Sequence, residues 1–164
     1  MARTEHTVVV ERPPDEVFAF LTDLSSVPEW QSGAVEVLEP EGEVGVGAGT
    51  KYVEVLKFLG RQFEATIEVT EYEPGRRFSI RTLSGPMPFQ VQHTLEPSNG
   101  GGTKLHVTLE GEPGGLFKIA EPLVMRNARR QVANDFATLK RLLESRTPAG
   151  SSRTSAGSSL TDIT

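Results

Sequence analysis

The clearest pattern of apolar and polar positions lies near the end of the chain. Between Leu116 and Ser145, apolar side chains recur at steps of three or four residues, and arginines and other polar side chains fill the opposite side. The apolar positions are Ala128, Val132, Phe136, Leu139 and Leu143. This spacing predicts an amphipathic α-helix. A helix from Leu123 to Glu144 would be about 33 Å long at ~1.5 Å per residue, so it needs a large apolar surface to lie on.

A period of two replaces this pattern in the middle of the chain, from Ala34 to Pro113, and predicts six strands. They are Val35 to Glu39, Thr50 to Leu59, Gln62 to Tyr72, Arg77 to Leu83, Phe89 to Glu96 and Thr103 to Glu110. Another strand is predicted from Glu5 to Glu11, before Pro13. The turns between successive strands are short and rich in glycine and proline, which indicates an antiparallel meander.

Two short helices are predicted between the first strand and this meander. The segment DEVFAFLTDL has its apolar residues on one helical face, at Val17, Phe20, Leu21 and Leu24. Ser26 to Glu29 matches the S-x-x-E capping box, so a second helix should end near Trp30. Together the elements predict an α+β fold, in which a curved seven-stranded antiparallel sheet wraps around the long C-terminal helix.

Length and charge indicate one acidic domain. The chain has 164 residues, with 17 basic and 22 acidic side chains and a formal net charge of −5, which disfavours a nucleic-acid-binding protein. The predicted elements occupy residues 1–145, and we expect these to form a single domain. Residues 146–164 are rich in Ser, Thr and Gly without apolar periodicity, which predicts a disordered tail.

Several classes of site are disfavoured by the composition. The chain has no cysteine, which excludes disulfides, thiolate metal ligands and a cysteine nucleophile. No two histidines have metal-ligand spacing on a common face, so we expect no metal site. The segment GEVGVGAGTK does not match the phosphate-binding loop and joins two strands, so it predicts a flexible hairpin. We therefore expect no cofactor.

No segment is long enough to cross a membrane. The start, MARTEHTVVVERPP, has too short an apolar run for a signal peptide, and no stretch approaches the ~18 apolar residues of a spanning helix. We expect a cytoplasmic protein with no integral membrane segment.

The order of several segments resembles a known superfamily. PPDEVFAFLTDLSSVPEW follows the first strand, VTEYEPGRRF and LEPSNGGGTKL lie in the meander, and AEPL precedes the final helix. This order is similar to that of the START-like helix-grip superfamily, and the most similar branch is the polyketide cyclase/dehydrase and lipid transport proteins. The resemblance implies an apolar cavity between the sheet and the last helix, which would hold a small hydrophobic molecule.

Strand parity indicates which side chains could face this cavity. Phe89, Val91, His93 and Leu95 share one face of their strand. Tyr52 and Glu54 share parity with Leu56, but apolar residues of the opposite parity compete for the inner face, so periodicity does not decide there. The residues expected to line the cavity are Trp30, Tyr52, Glu54, Phe78, Ile80, Phe89, Val91, His93, Leu95, Val124, Ala128 and Val132.

His93 is the candidate catalytic residue if the protein is an enzyme. A histidine on an apolar inner face could hydrogen-bond a ligand or act as a base near neutral pH. The alternative is a core histidine whose ring nitrogens bind a neighbouring polar group. Trp30 has two similar interpretations, lining the mouth of a cavity or packing beneath the short helices.

Other charged residues have structural interpretations. Arg81 is expected to be exposed and ion-paired, and Asp23 and Glu29 to cap helices. The basic face of the last helix comprises Arg126, Arg129, Arg130, Lys140 and Arg141. We expect this face to be solvated and paired with the acidic body, and binding to an anionic membrane surface is the alternative.

Three functional classes remain open. A binding or carrier protein for a small hydrophobic ligand such as a lipid, polyketide, isoprenoid or quinone is favoured, because polar candidates for the cavity are few. A polyketide cyclase or dehydratase would need a positioned acid or base, which His93 offers, with Tyr52 and Glu54 as partners. A protein-interaction module would use the basic helix or the tail.

Overall fold

The computed structural model describes residues 2–38, 46–112 and 121–146. Its strands are β1 (Ala2–Val10), β2 (Ala34–Leu38), β3 (Lys51–Phe58), β4 (Arg61–Glu73), β5 (Arg77–Ser84), β6 (Phe89–Ser98) and β7 (Gly102–Gly111). Its α-helices are α1 (Pro14–Leu21), α2 (Val27–Trp30) and α3 (Glu121–Ser145), with short 3₁₀ segments at Leu24–Ser26 and Asn99–Gly101. Much of the Gly-rich hairpin and all of the predicted tail after Arg146 lie outside the described residues.

The described strands form one antiparallel sheet in the order β1-β7-β6-β5-β4-β3-β2. The meander from β2 to β7 is confirmed, and β1 completes the sheet by pairing with β7. With α3 packed against the sheet and two short helices after β1, the predicted α+β helix-grip fold is confirmed. Both edges of the sheet therefore come from the first quarter of the chain.

The turn between β3 and β4 is tighter than the sequence pattern predicted. Leu59, which we expected at the end of a strand, lies in a two-residue hairpin loop with Gly60, and their φ angles are 49° and 78°. Positive φ at both positions is the requirement of a type I′ turn, whose twist matches that of the strands it joins. Because this turn requires a positive φ at its first position, Leu59 has a backbone conformation that leucine rarely adopts.

Irregular pairing interrupts the sheet at three places. The register shifts between Ala34 and Glu36 in β2, and at two places in the pairing of β4 with β5. Such bulges bend strands and increase their twist. Helix α3 packs against the sheet. Its Phe136, Leu139 and Leu143 are buried, as the apolar stripe predicted, while Ala128 and Val132 are half-buried.

The capping box predicted at Ser26 does not form. The Ser26 side chain makes no capping hydrogen bond to α2, and its Oγ instead donates to Asp23 Oδ2 at 2.7 Å. Asp23 Oδ1 also accepts from Ser25 N at 3.2 Å, so Asp23 caps the preceding 3₁₀ turn as expected of a terminal carboxylate. The Ser26 hydroxyl is thus a donor to Asp23 and accepts no hydrogen bond from the backbone N–H groups of α2.

The C-terminal end of α3 is fixed to the end of β1. Arg12 Nη2 donates to the carbonyl oxygens of Glu144 at 2.9 Å and Arg146 at 2.5 Å. The Glu11 N–H donates to Glu144 Oε2 at 2.8 Å. These bonds satisfy carbonyls that the helix leaves free at its end, and they hold α3 in place over the sheet.

The surface charges divide into paired and unpaired groups. Arg81 is exposed and pairs with Glu68 at 2.9 Å, as predicted. On the basic face of α3, Lys140 pairs with Glu144 at 2.7 Å, whereas the four arginines form no ion pair within the described residues. Among the described helices, none is both long and apolar enough to span a membrane.

Candidate functional site

A cavity of about 200 Å³ lies between the bent sheet and α3. Its wall comes from strands β3 to β7, from α2 and from the first half of α3. Nine of the twelve residues predicted to line a cavity lie in this wall: Trp30, Glu54, Ile80, Phe89, Val91, His93, Val124, Ala128 and Val132. Their role in binding stays a prediction, but the structure brings them together around one space.

The other three predicted residues are buried elsewhere. Tyr52, Phe78 and Leu95 belong to the main core rather than to the cavity wall. Each lies two residues from a cavity residue on the same strand, next to Glu54, Ile80 and His93 respectively. Phe18 of α1 packs near the Phe78 ring, with centroids 6.4 Å apart. Burial raises the pKa of Tyr52, and the nearby Glu54 contributes to this increase. The Tyr52 hydroxyl therefore stays protonated.

Asp135 lines the cavity although the sequence interpretation omitted it. Its Oδ1 accepts hydrogen bonds from Ser32 N at 3.0 Å and Ser32 Oγ at 2.8 Å, which ties α3 to the loop after α2. Burial raises the pKa of Asp135, and the two bonds from Ser32 partly oppose the effect. Its position, three residues after Val132 and four before Leu139, was the available signal, since this spacing places it on the inner stripe.

Trp30 ends α2 and closes the cavity beside α3. Its side chain is 3% exposed, and its ring packs on Phe136 with centroids 5.1 Å apart. Trp30 belongs to the hydrophobic core and also lines the cavity. Its Nε1–H is buried and has no hydrogen-bond partner in the described part of the protein.

Glu54 lies in the middle of β3 and is 4% exposed. Its Oε1 is buried without a hydrogen-bond partner among the described residues. Since water stabilises a carboxylate and this site excludes water, burial raises the pKa of Glu54 to about 7. Glu54 is therefore a buried acid that changes charge near neutral pH.

His93 is buried among aromatic rings. It stacks on Phe78 with centroids 5.7 Å apart and lies 5.8 Å from Phe136. His93 Nδ1 is 2.9 Å from the Phe78 carbonyl oxygen. Because a carbonyl only accepts hydrogen bonds, Nδ1 carries the proton and Nε2 is left as an acceptor. Burial lowers the pKa of His93 to about 4, although this hydrogen bond favours the charged form.

The described residues offer no metal-ligand cluster, and the cavity wall is mostly apolar. Within the described residues, no group of three or more His, Asp or Glu side chains is placed to hold a metal ion. Most of the wall is apolar, and its polar residues at the α2 and β3 end include Trp30, Glu54 and Asp135, together with Gln31, Lys57 and Gln131. Such a site can enclose a compact apolar molecule and contact one polar group on it.

Solved structures share this fold. A protein from Thermus thermophilus, TTHA0849, has a TM-score of 0.74 and 17% identity, over 87% of this chain and 97% of that one. A START superfamily protein from Mycobacterium smegmatis has a TM-score of 0.70 and 15% identity, over 87% and 97%. The Zhui aromatase/cyclase from Streptomyces sp. R1128 has a TM-score of 0.72 and 20% identity, over 92% and 98%.

At such identities these similarities establish the fold alone. No curated protein sequence matches the chain. The family described as polyketide cyclase / dehydrase and lipid transport matches residues 1–144, which include all of the described strands and all but the last residue of α3. The resemblance noted in the sequence is thereby confirmed: the chain belongs to the polyketide cyclase / dehydrase and lipid transport family.

Proposed function

We propose that the protein binds a small hydrophobic molecule between the sheet and α3, as a binding or carrier protein. The observation that carries the proposal is the apolar cavity of about 200 Å³. Pockets for drug-sized ligands measure roughly 300–1,000 Å³. The smaller volume favours a compact ligand of one or two rings, or a short isoprenoid or acyl chain, over a two-chain lipid.

The test uses naphthalene, an uncharged two-ring probe, with binding measured by calorimetry. We expect one naphthalene per folded chain. Val91→Trp should weaken this binding at least tenfold, because the larger side chain fills the cavity. Leu83→Trp is the matched control, since Leu83 is exposed on β5 and lies outside the cavity wall. A folded parent protein that takes up no naphthalene would overturn the proposal.

A cyclase or dehydratase is the second candidate, and the observation that favours it is Glu54. A general acid or base works best with a pKa near the operating pH, and the pKa of Glu54 is about 7. His93 is less suitable, because its pKa is about 4 and its Nδ1 is held by Phe78. Tyr52 lies outside the cavity wall. The proposed acid or base therefore moves from His93 to Glu54.

Turnover of a polyketide-like substrate separates the two candidates. If the protein is an enzyme of this kind, Glu54→Gln should lower the rate by roughly 10²- to 10⁴-fold, while His93→Gln should leave most of it. A parent protein that binds hydrophobic probes and converts none of them supports the carrier function. The interaction-module alternative is supported by no specific contact in the described residues.

A further inference from the structure

Two unpaired polar atoms lie in the wall of the cavity. Trp30 Nε1 and Glu54 Oε1 are buried without hydrogen-bond partners in the described part of the chain. Buried polar groups in folded proteins are nearly always paired, and an unpaired one destabilises the protein. A third such atom, Arg12 Nε, lies away from the cavity, with Glu16 Oε2 3.8 Å away. The two cavity atoms are the ones that a ligand could satisfy.

The fold places both side chains at one end of the cavity. Helix α2, which ends at Trp30, contacts β2 and α3. Strand β2 pairs with β3, with Ala34 opposite Leu56 and Val37 opposite Glu54. The rest of the wall, on β4 to β7, is largely apolar, as at Phe89, Val91 and Leu109. The cavity thus has a polar end and an apolar body.

We propose that the ligand carries an uncharged hydroxyl group, which accepts a hydrogen bond from Trp30 Nε1 and forms a second one with the Glu54 carboxyl group. The apolar part of the ligand then extends towards Val91. This inference rests on the proposed binding function and specifies the chemistry of its ligand.

The donor and acceptor properties of the two side chains exclude other groups. An indole N–H only donates, so an ammonium group, which has no acceptor, leaves Trp30 unpaired. A carboxylate or phosphate would bring a second negative charge next to Glu54, and the lysine in the wall, Lys57, is exposed to solvent. A ketone accepts from Trp30 but has no proton to give to an ionised Glu54. A hydroxyl group both accepts and donates, so it pairs with Trp30 and with either protonation state of Glu54.

The experiment compares 2-naphthol with naphthalene, which have the same ring system and differ by the hydroxyl group. The measured quantity is the ratio of their dissociation constants at pH 7. We expect the parent protein to prefer 2-naphthol by about tenfold or more. Trp30→Phe keeps an aromatic ring but removes the N–H, and Glu54→Leu removes the carboxyl group. Each should reduce the preference to about one- to threefold.

Two further variants serve as controls. Glu36→Leu makes the same substitution at an exposed position of β2 and should retain the full preference. Glu54→Gln keeps a polar amide that can bond the hydroxyl, so it should remain folded and retain most of the preference. If Glu54→Leu does not fold, Trp30→Phe alone tests the site, and a preference that survives this substitution would overturn the proposal.

The outcomes distinguish this inference from the proposed function. Equal affinity of the parent for both probes would overturn the hydroxyl proposal and leave the binding function intact. A preference that survives both Trp30→Phe and Glu54→Leu would also overturn it. If the folded parent binds neither probe, the binding function fails and the inference fails with it. Naphthalene binding by each variant verifies that its cavity is intact.

Discussion

Glu54 and His93 line the same cavity, and burial shifts their pKa values in opposite directions. Burial disfavours the charged form of each group, so it raises the pKa of the acid to about 7 and lowers that of the base to about 4. Between these values both side chains are neutral. Above pH 7, Glu54 gains a negative charge against an apolar wall, so the free protein stores an unfavourable charge at its candidate binding site.

The raised pKa of Glu54 predicts how the stability of the protein depends on pH. Since the folded-state pKa of Glu54 is raised above 4.5, the native state binds more protons than the unfolded state between pH 4.5 and 7. Its contribution to stability is therefore lost as pH rises through this window, by about 3 kcal/mol. Glu54→Gln removes the titration. Relative to the parent, its free energy of unfolding should rise by about 3 kcal/mol between pH 5 and pH 8.

Urea denaturation at the two pH values measures this difference. Glu36→Gln removes an exposed carboxylate from the adjacent strand and should show little pH-dependent change. A difference between parent and Glu54→Gln that is the same at pH 5 and pH 8 would show that Glu54 does not titrate in this range.

At the scale of single residues, alternation predicts on which face of a strand a side chain lies. It does not predict whether that side chain lies in the core or in the cavity wall. Alternation placed His93 on the inner side of its strand, because successive side chains point to opposite faces, but it left Glu54 undecided, because apolar residues of both parities occur on β3. It could not separate Leu95 from Val91, which share a face, since the boundary between core and cavity is set by where α1 and α3 cover the sheet. Nor could it show that Trp30 Nε1 lacks a partner, which depends on contacts between distant segments.

Among the elements, α3 connects the core to the cavity. Its second half is buried at Leu139 and Leu143, and its first half contributes the cavity wall at Val124 and Ala128. Phe136 lies at the junction, where its ring contacts both Trp30 and His93. The C-terminal half of α3 therefore packs in the core, and its N-terminal half borders the cavity.

Phe136→Ala tests this junction. The side chain is 4% exposed, and removing a buried aromatic ring should lower the free energy of unfolding by about 3 to 5 kcal/mol. Leu123→Ala, at an exposed position of the same helix, should change it by less than about 0.5 kcal/mol. Chemical denaturation measures both. A loss below about 1 kcal/mol for Phe136→Ala would mean that the stripe is not packed as described.

The existence of α3 was predictable because its apolar stripe is long and regular. The contacts that α3 makes with other segments were less predictable. The Asp135 bonds to Ser32 and the Arg12 bonds at the helix end join segments more than 100 residues apart, and no local pattern encodes such pairs. The capping box at Ser26 was wrong for a local reason, because the Ser26 hydroxyl donates to Asp23, three residues earlier.

For the whole molecule, the order of the meander followed from its short turns, which leave successive strands no partner but each other. The pairing of β1 could not be derived in this way. Thr7 lies opposite His106, and no turn joins the two strands. The predicted single domain and disordered tail stay predictions, since residues 147–164 lie outside the described part of the chain.

The pairing of β1 with β7 also sets an order of events in folding. Strand β1 is synthesised first, but its hydrogen-bonding partner follows about 100 residues later, and closing so long a loop is slow. We expect the meander to form earlier, and pulse-labelled hydrogen exchange should show amides of β4 and β5 protected before those of β1. Simultaneous protection would contradict this order. Because α3 rests on β1, we expect the cavity to close only in the last step of folding, so a partly folded chain would have no finished site to fill.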